Sequence, residues 1–236
     1  MKSLITTSTL ALAATTVAHS GPNRLRKRND VPIVDNPTAQ DVQTAINEWN
    51  TDVVNVNAFL ENASNDLDDL PTLGANAHAV ASNFAAEEPN QLGTLTNWFN
   101  GADANNPDTT PDAFNCATND LAVGQTIGST TFNFKSLVLD VFADIVEDAA
   151  AGNRDAVENL LNVVHSYRCC NVLPDLVIIW RDSAISADLV IQSSIVAGVP
   201  ITPARPSTCS VFDCSQVEGA STCATEDNGS FGTPGS

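Results

Sequence analysis

The sequence predicts an all-α protein: a disulfide-stapled antiparallel bundle of about five to six helices with an extended C-terminal tail. Three observations carry this. Eight apolar residues (Val42, Ile46, Trp49, Val53, Val56, Leu60, Ala63 and Leu67) recur at alternating steps of four and three, the rhythm of one helix face. The apolar set is Ala, Val and Leu with only 6% aromatics, a palette for closely packed helices. Six cysteines, an even number, fit a framework of disulfides.

In chain order, Met1 to Ser20 carries Lys2, an apolar small-residue run and the close Ala18-His19-Ser20. That pattern is a secretory signal peptide, too short for a membrane span. Residues 21–28 form a propeptide whose basic cluster ends in Lys27-Arg28, resembling the dibasic sites cut by kexin-type proteases of fungi. The helical domain is expected over 29–200, followed by a Cys-containing flexible tail over 201–236.

Val31 to Pro37 is an extended lead-in. Thr38 is placed to cap the first helix, with Asp41 in its first turn. Asp41, Gln43, Glu48, Asp52, Asn55 and Glu61 fall mostly on the face opposite the apolar stripe, and the helix should stop between Asp66 and Pro71. Pro71 suits the first turn of a second helix, with Leu73, Ala77, Val80, Ala81 and Phe84 inward. Glu87-Glu88-Pro89 ends it, because the residue before proline avoids helical geometry. A third helix is expected from Asn90 to Asn100 with Leu92, Leu95, Trp98 and Phe99, then a polar loop from Gly101 to Asp112.

Phe114 to Phe134 reads as two helical pieces bent near Gly128; the alternative is a hairpin between 124 and 134. From Phe132 to Ala150 the helical period returns with Leu137, Val138, Val141, Phe142, Ile145 and Val146. Gly152 stops that helix and Asn153 should cap the next, which turns Val157, Leu160, Leu161, Val164 and Tyr167 inward. The stretch from Asn153 to Asp182 organises the rest: an amphipathic helix, Cys169-Cys170, Pro174, and a last apolar helix carrying Leu176, Val177, Ile179, Trp180, Ala184, Ala187 and Leu189. That helix fades at Gly198-Val199-Pro200.

The cysteines are Cys116, Cys169, Cys170, Cys209, Cys214 and Cys223, with fifteen possible pairings. Bonding between the neighbours Cys169 and Cys170 would strain their shared peptide. They are expected to reach separate segments, one pairing with Cys116 and the other with Cys209, leaving Cys214–Cys223 to close a small loop. Metal binding is not expected, since His78 and His165 lie far apart and C-x-x-C is absent. Two sequons, at Asn62 and Asn228, are candidate glycosylation sites.

Without residues 1–28, five basic residues (Lys135, Arg154, Arg168, Arg181 and Arg205) face 28 acidic ones, a net charge of −23. Such a surface repels nucleic acid and anionic lipid. Nucleophilic catalysis needs nucleophile, base and orienting acid in contact, and His165-Ser166 are helix neighbours that do not face each other. G-x-S-x-G, G-x-x-x-x-G-K and H-E-x-x-H are absent. The adjacent carboxylates Asp68-Asp69 and Glu87-Glu88 read as solvated helix ends. No catalytic residue, cofactor or metal is expected, and the chain is not read as an enzyme.

What remains is binding. A bundle lined by Val, Leu, Ile, Phe and Trp either packs fully or leaves an apolar site, for which Trp49, Phe84, Trp98, Phe142 and Trp180 are the candidates. The opening DVQTAINEWNTDV and closing VLPDLVIIWRDSA helices, in a dibasic-processed, acidic chain, give residues 38–195 a general likeness to a known family. They resemble the fungal hydrophobic surface-binding and cell-wall galactomannoprotein family. That resemblance implies a secreted bundle that binds a lipid, wax or apolar surface, at the cell wall or in the medium. The chain departs from the family in its cysteines and tail, and no functional residue carries over. The other expectation is a secreted effector or wall component with a role in virulence. It would meet a host or cell-wall protein through its surface, with no small-molecule ligand. In neither case is it an integral membrane protein.

Overall fold

A computed structural model of the chain describes residues 32–101, 110–191, 194–195 and 198–223. The signal peptide, the propeptide with Lys27 and Arg28, most of the 101–112 loop and the Asn228 sequon lie outside the described residues. The fold is all-α. Its helices are α1 (Ala39–Ala63), α2 (Leu70–Val80), α3 (Glu88–Asn100), α4 (Asp112–Ala122), α5 (Asp140–Ala151), α6 (Arg154–Tyr167) and α7 (Leu173–Ser186). Single π-helical turns extend α2 through Ala85, lead into α5 from Lys135 and join α6 to α7, so the seven segments form six rods.

Local chemistry sets the ends. The Thr38 hydroxyl accepts from the Asp41 N–H while the Asp41 carboxylate accepts from the Thr38 N–H at 2.8 Å, a reciprocal cap that starts α1. All eight expected stripe residues of α1 are buried. Asp69 caps α2 by accepting from the Thr72 N–H, with Pro71 in the first turn. Gly152 ends α5 at φ +77°, a left-handed position that a Cβ penalises. Asn153 then contributes no side-chain cap to α6, contrary to expectation, because its amide turns back to Asp148 Oδ1 at 2.8 Å.

α2 packs on α5, α5 on α6, α1 on α3 and α4 on α7. Gly74 lets α2 and α5 close up, since an added Cβ would sit 2.9 Å from Ala149 Cβ. Two buried rungs join α1 to α3. Trp49 Nε1 donates to Glu88 Oε2 and Gln91 Nε2 donates to Asp52 Oδ2, each at 3.0 Å. Both pairs are 39 residues apart, so α1 and α3 run in the same direction, with α2 returning between them.

Four expectations are corrected here. Residues 124–134 contain a hairpin, β1 (Gln125–Ile127) against β2 (Thr130–Phe132), in place of bent helix. The Thr131 and Thr130 side chains favour extended backbone, and Gly124 and Gly128 both hold positive φ. Asp52, Glu87 and Glu88 are buried, not solvated; Glu88 starts α3 ahead of Pro89, two residues earlier than expected.

Third, Cys169-Cys170-Pro174 does not break the chain into separate helices. The Leu173 N–H reaches back five residues to the Arg168 carbonyl, and Pro174 has no N–H to offer Cys170. The two carbonyls thus released take partners from the C-terminal segment: Arg205 Nη2 donates to Cys169 O at 3.0 Å and the Ser221 N–H to Cys170 O at 2.9 Å.

Fourth, the disulfides are Cys116–Cys223, Cys169–Cys209 and Cys170–Cys214. The neighbours do bond separate partners, and Cys169–Cys209 is among the expected options. Cys116 pairs with Cys223, however, and no small loop joins Cys214 to Cys223. Residues 198–223, with two short 3-10 turns, are thereby held against the bundle, burying Val199, Cys209 and Cys223. Among the described residues no helix is long and apolar enough to cross a membrane.

Candidate functional site

A pocket of about 650 Å³ lies where α1, α3, α4 and the turn leading into α5 converge. Its main wall is one face of α3: Pro89, Leu92, Gly93, Thr96 and Asn97 follow the i, i+3, i+4, i+7, i+8 spacing. The opposite face of α3, with Gln91, Leu95 and Trp98, is buried in the bundle. α4 supplies Thr118, Asn119, Leu121 and Ala122, and the entry to α5 supplies Phe134, Lys135 and Leu139. Trp49 and Glu88 reach the pocket from the α1–α3 seam.

Ile33 lines the pocket from the lead-in segment. Its side chain lies over Gly93, where an added Cβ would fall 3.0 Å from Ile33 Cδ1. The lead-in is tied down beside that contact through both backbone groups of Val34: its N–H donates to Thr94 Oγ1 at 3.1 Å, and its carbonyl accepts from Asn97 Nδ2 at 3.0 Å.

The floor is polar but internally paired. Arg168 Nη1 meets Glu88 Oε1 at 3.0 Å with both side chains about 1% exposed, while the other Glu88 oxygen accepts from Trp49. At the rim, Lys135 Nζ lies 2.7 and 2.8 Å from the two oxygens of Asp140. Among the described residues, each charge on the pocket wall therefore has a partner inside the protein.

Of the five aromatic candidates, the pocket takes Trp49 alone. Trp98 is buried and donates from Nε1 to Ser186 Oγ. Trp180 sits edge-on to Trp49 at 6.2 Å, and Phe142 packs on Phe59 at 5.6 Å, all core contacts. Phe84 is half-buried against the core and is not on the pocket wall. Sequence reasoning missed the α3 and α4 walls because Gly93, Thr96, Asn97, Thr118 and Asn119 break the apolar signal. The i, i+3, i+4 spacing of Pro89, Leu92 and Gly93, outside the Leu95–Trp98 core face, was the available clue.

A second buried cluster joins α4 and α7 to the C-terminal segment. Asp120 Oδ2 accepts from Gln125 Nε2 and Asn171 Nδ2, each at 3.0 Å, and Ser221 Oγ donates to Asp175 Oδ1. Those amides also hold the segment's backbone, Asn171 donating to Gly219 O and Gln125 to Ala220 O. Burial pushes Asp175 well above the usual carboxylate range, helped by the neighbouring Asp120 charge; burial raises Asp120 too. The Tyr167 hydroxyl is pushed up by burial and by both aspartates. Asp120 and Asp175 thus form a buried carboxyl pair inside a clasp, and neither lines the pocket.

Elsewhere, Asn62 is exposed on α1, as its sequon requires. His165 contacts Thr208 Oγ1 at 3.0 Å and Phe212 edge-on; burial lowers its basicity, with the Arg168 charge adding to that effect. Among the described residues, two groups of side chains are close enough to share an ion: His165 with Cys169 and Cys209, and Asp120 and Asp175 with Cys223. Each includes sulfur already bound in a disulfide, which has no thiolate to offer.

Fold and site together define a disulfide-stapled helical bundle with an apolar pocket in its side. No family model matches the chain, and no curated protein or solved structure matches it significantly.

Proposed function

We propose that the mature chain is a secreted, non-enzymatic protein that binds a hydrophobic ligand. The observation that carries this is the pocket of about 650 Å³ floored by Trp49 and walled by Leu92, Leu121, Ala122, Phe134 and Leu139. Its volume falls within the roughly 300–1,000 Å³ of small-molecule sites. Three disulfides fit an oxidising compartment, and the leader pattern in residues 1–28 agrees with secretion. The likeness of α1 and α7 to the fungal surface-binding and galactomannoprotein family points the same way, toward a lipid or an apolar surface in the medium or at the wall.

The test is native mass spectrometry of the protein purified from secretion medium, with a Leu139→Trp variant that fills the pocket. An apolar molecule released on denaturation, and missing from the variant, is the expected result. A bare chain that also fails to bind a neutral dye such as Nile red would overturn the proposal and leave a surface-acting interaction protein in its place.

A further inference from the structure

We infer that the pocket selects an uncharged, hydroxyl-bearing apolar molecule, of the long-chain alcohol or sterol kind, and discriminates against fatty-acid anions. This rests on the pocket being a ligand site and specifies what it takes.

The inference comes from how the charges on the wall are used. A buried anion needs a cation or several donors, and an unpaired charge in such a place is heavily penalised. Among the described residues Lys135 is the one cation on the wall, an exposed rim side chain whose ammonium both Asp140 oxygens already hold. Asp140 is only five residues away on the same rod, so an incoming carboxylate competes with a tethered one. Deeper in, the carboxylate of Glu88 stands where a second anion would be repelled, and Arg168, which neutralises it, is not on the wall. The net charge of −18 for the whole chain adds a long-range field of the same sign. A cationic ligand fares no better, because among the described residues Glu88 is the one acid on the wall and already has its counter-ion.

The polarity left is neutral. Thr96, Asn97, Thr118 and Asn119 line the α3 and α4 walls. Asn97 Nδ2 gives one of its two N–H groups to Val34 O and Thr118 Oγ1 gives its proton to Asn115 O, which leaves one amide N–H and the lone pairs of both oxygens for a ligand. Glu88 adds further acceptor capacity, since each of its oxygens has one donor and room for another. A wall of neutral groups that both accept and donate suits a hydroxyl, the uncharged group that does the same.

The experiment is calorimetric titration at neutral pH with cetyl alcohol, methyl palmitate and palmitate, alongside Nile red, on the wild type and on Asp140→Asn. Cetyl alcohol should bind roughly tenfold or more tighter than palmitate, with the ester between them, since only the acid brings a charge and only the alcohol donates. Asp140→Asn frees the Lys135 ammonium, so palmitate should gain several-fold while cetyl alcohol is unchanged. Palmitate binding as tightly as the alcohol, or an Asp140→Asn variant with unaltered preference, would overturn the selectivity while leaving the binding function standing. Nile red binding with neither lipid bound would do the same. Loss of the dye as well would remove the proposed function itself.

Discussion

The Cys170 carbonyl accepts the Ser221 N–H at 2.9 Å because Pro174, four residues further on, has no N–H to give it. One proline thereby turns a helix interior into a docking point for a segment fifty residues away. The sulfur of the same Cys170 bonds Cys214, and its neighbour repeats the device with Arg205 and Cys209. The α6–α7 rod holds the C-terminal segment by backbone and by disulfide together.

That attachment gives the first prediction. Non-reducing peptide mapping should find Cys116–Cys223, Cys169–Cys209 and Cys170–Cys214. A Cys116→Ser, Cys223→Ser double variant should lose about 2–5 kcal/mol of unfolding free energy, the usual range for a native bridge closing a long loop. Recovery of a Cys214–Cys223 peptide instead would refute the arrangement.

Stability should fall with rising pH across the window opened by Asp175 and Asp120. Both carboxyls hold their protons to higher pH in the folded chain than the ordinary aspartate value near 3.8. Within that interval the folded state binds more protons than the unfolded one, so each pH increase favours unfolding. His165 has the opposite sign: its lowered basicity makes stability rise with pH just below 6.5. Asp175→Asn should therefore flatten the decline above the ordinary aspartate value, leaving the His165 slope, in a series of thermal melts. A variant whose melting curve tracks the wild type at every pH would show that the pair is ionised like any other aspartate.

Truncating Glu88 should be severe. Glu88→Ala strands Arg168 without a counter-ion and Trp49 Nε1 without an acceptor, at a cost of about 3–5 kcal/mol in denaturant unfolding. Replacing both Glu88 and Arg168 with apolar residues should cost less than the single change. If the single variant unfolds at the wild-type midpoint, the pair is not buried in solution.

Pocket and core should separate cleanly. Phe142→Ala removes a fully buried ring and should destabilise by about 3–5 kcal/mol while leaving dye affinity close to wild type. Ile33→Ser, at a pocket-lining side chain that is 48% exposed, should do the reverse. Melting temperature and Nile red titration on the same samples decide it; a Phe142 effect on affinity larger than that of Ile33 would relocate the site.

How far the sequence revealed this molecule depends on which physical signal dominated each stretch. The cap and apolar stripe of α1 were legible, from Thr38 to Ala63, because hydrophobic period and capping chemistry agree. The hairpin at 125–132 was harder. Leu121, Val123 and Ile127 keep a helical beat across a stretch where threonines and glycines favour strand, and the turn chemistry prevailed. Glu88 and Asp52 were misplaced because charge normally marks solvent, and only a partner distant in sequence, Arg168 or Gln91, makes burial tolerable. The pocket was least legible, since a cavity is defined by what neighbouring helices fail to fill. Trp49 belongs to it while Trp98 and Trp180 do not, and nothing in their local spacing distinguishes the three.

Each bridge joins a cysteine at or before position 170 to one at or after 209. During synthesis, the three earlier thiols therefore wait without a native partner until the segment beyond Thr208 has been made. In that interval the only bridges they can form within the chain are wrong ones, with one another. Every native bridge thus closes after the sequence of all seven helices is complete, and oxidation can only fasten the C-terminal segment onto a bundle whose residues are already present.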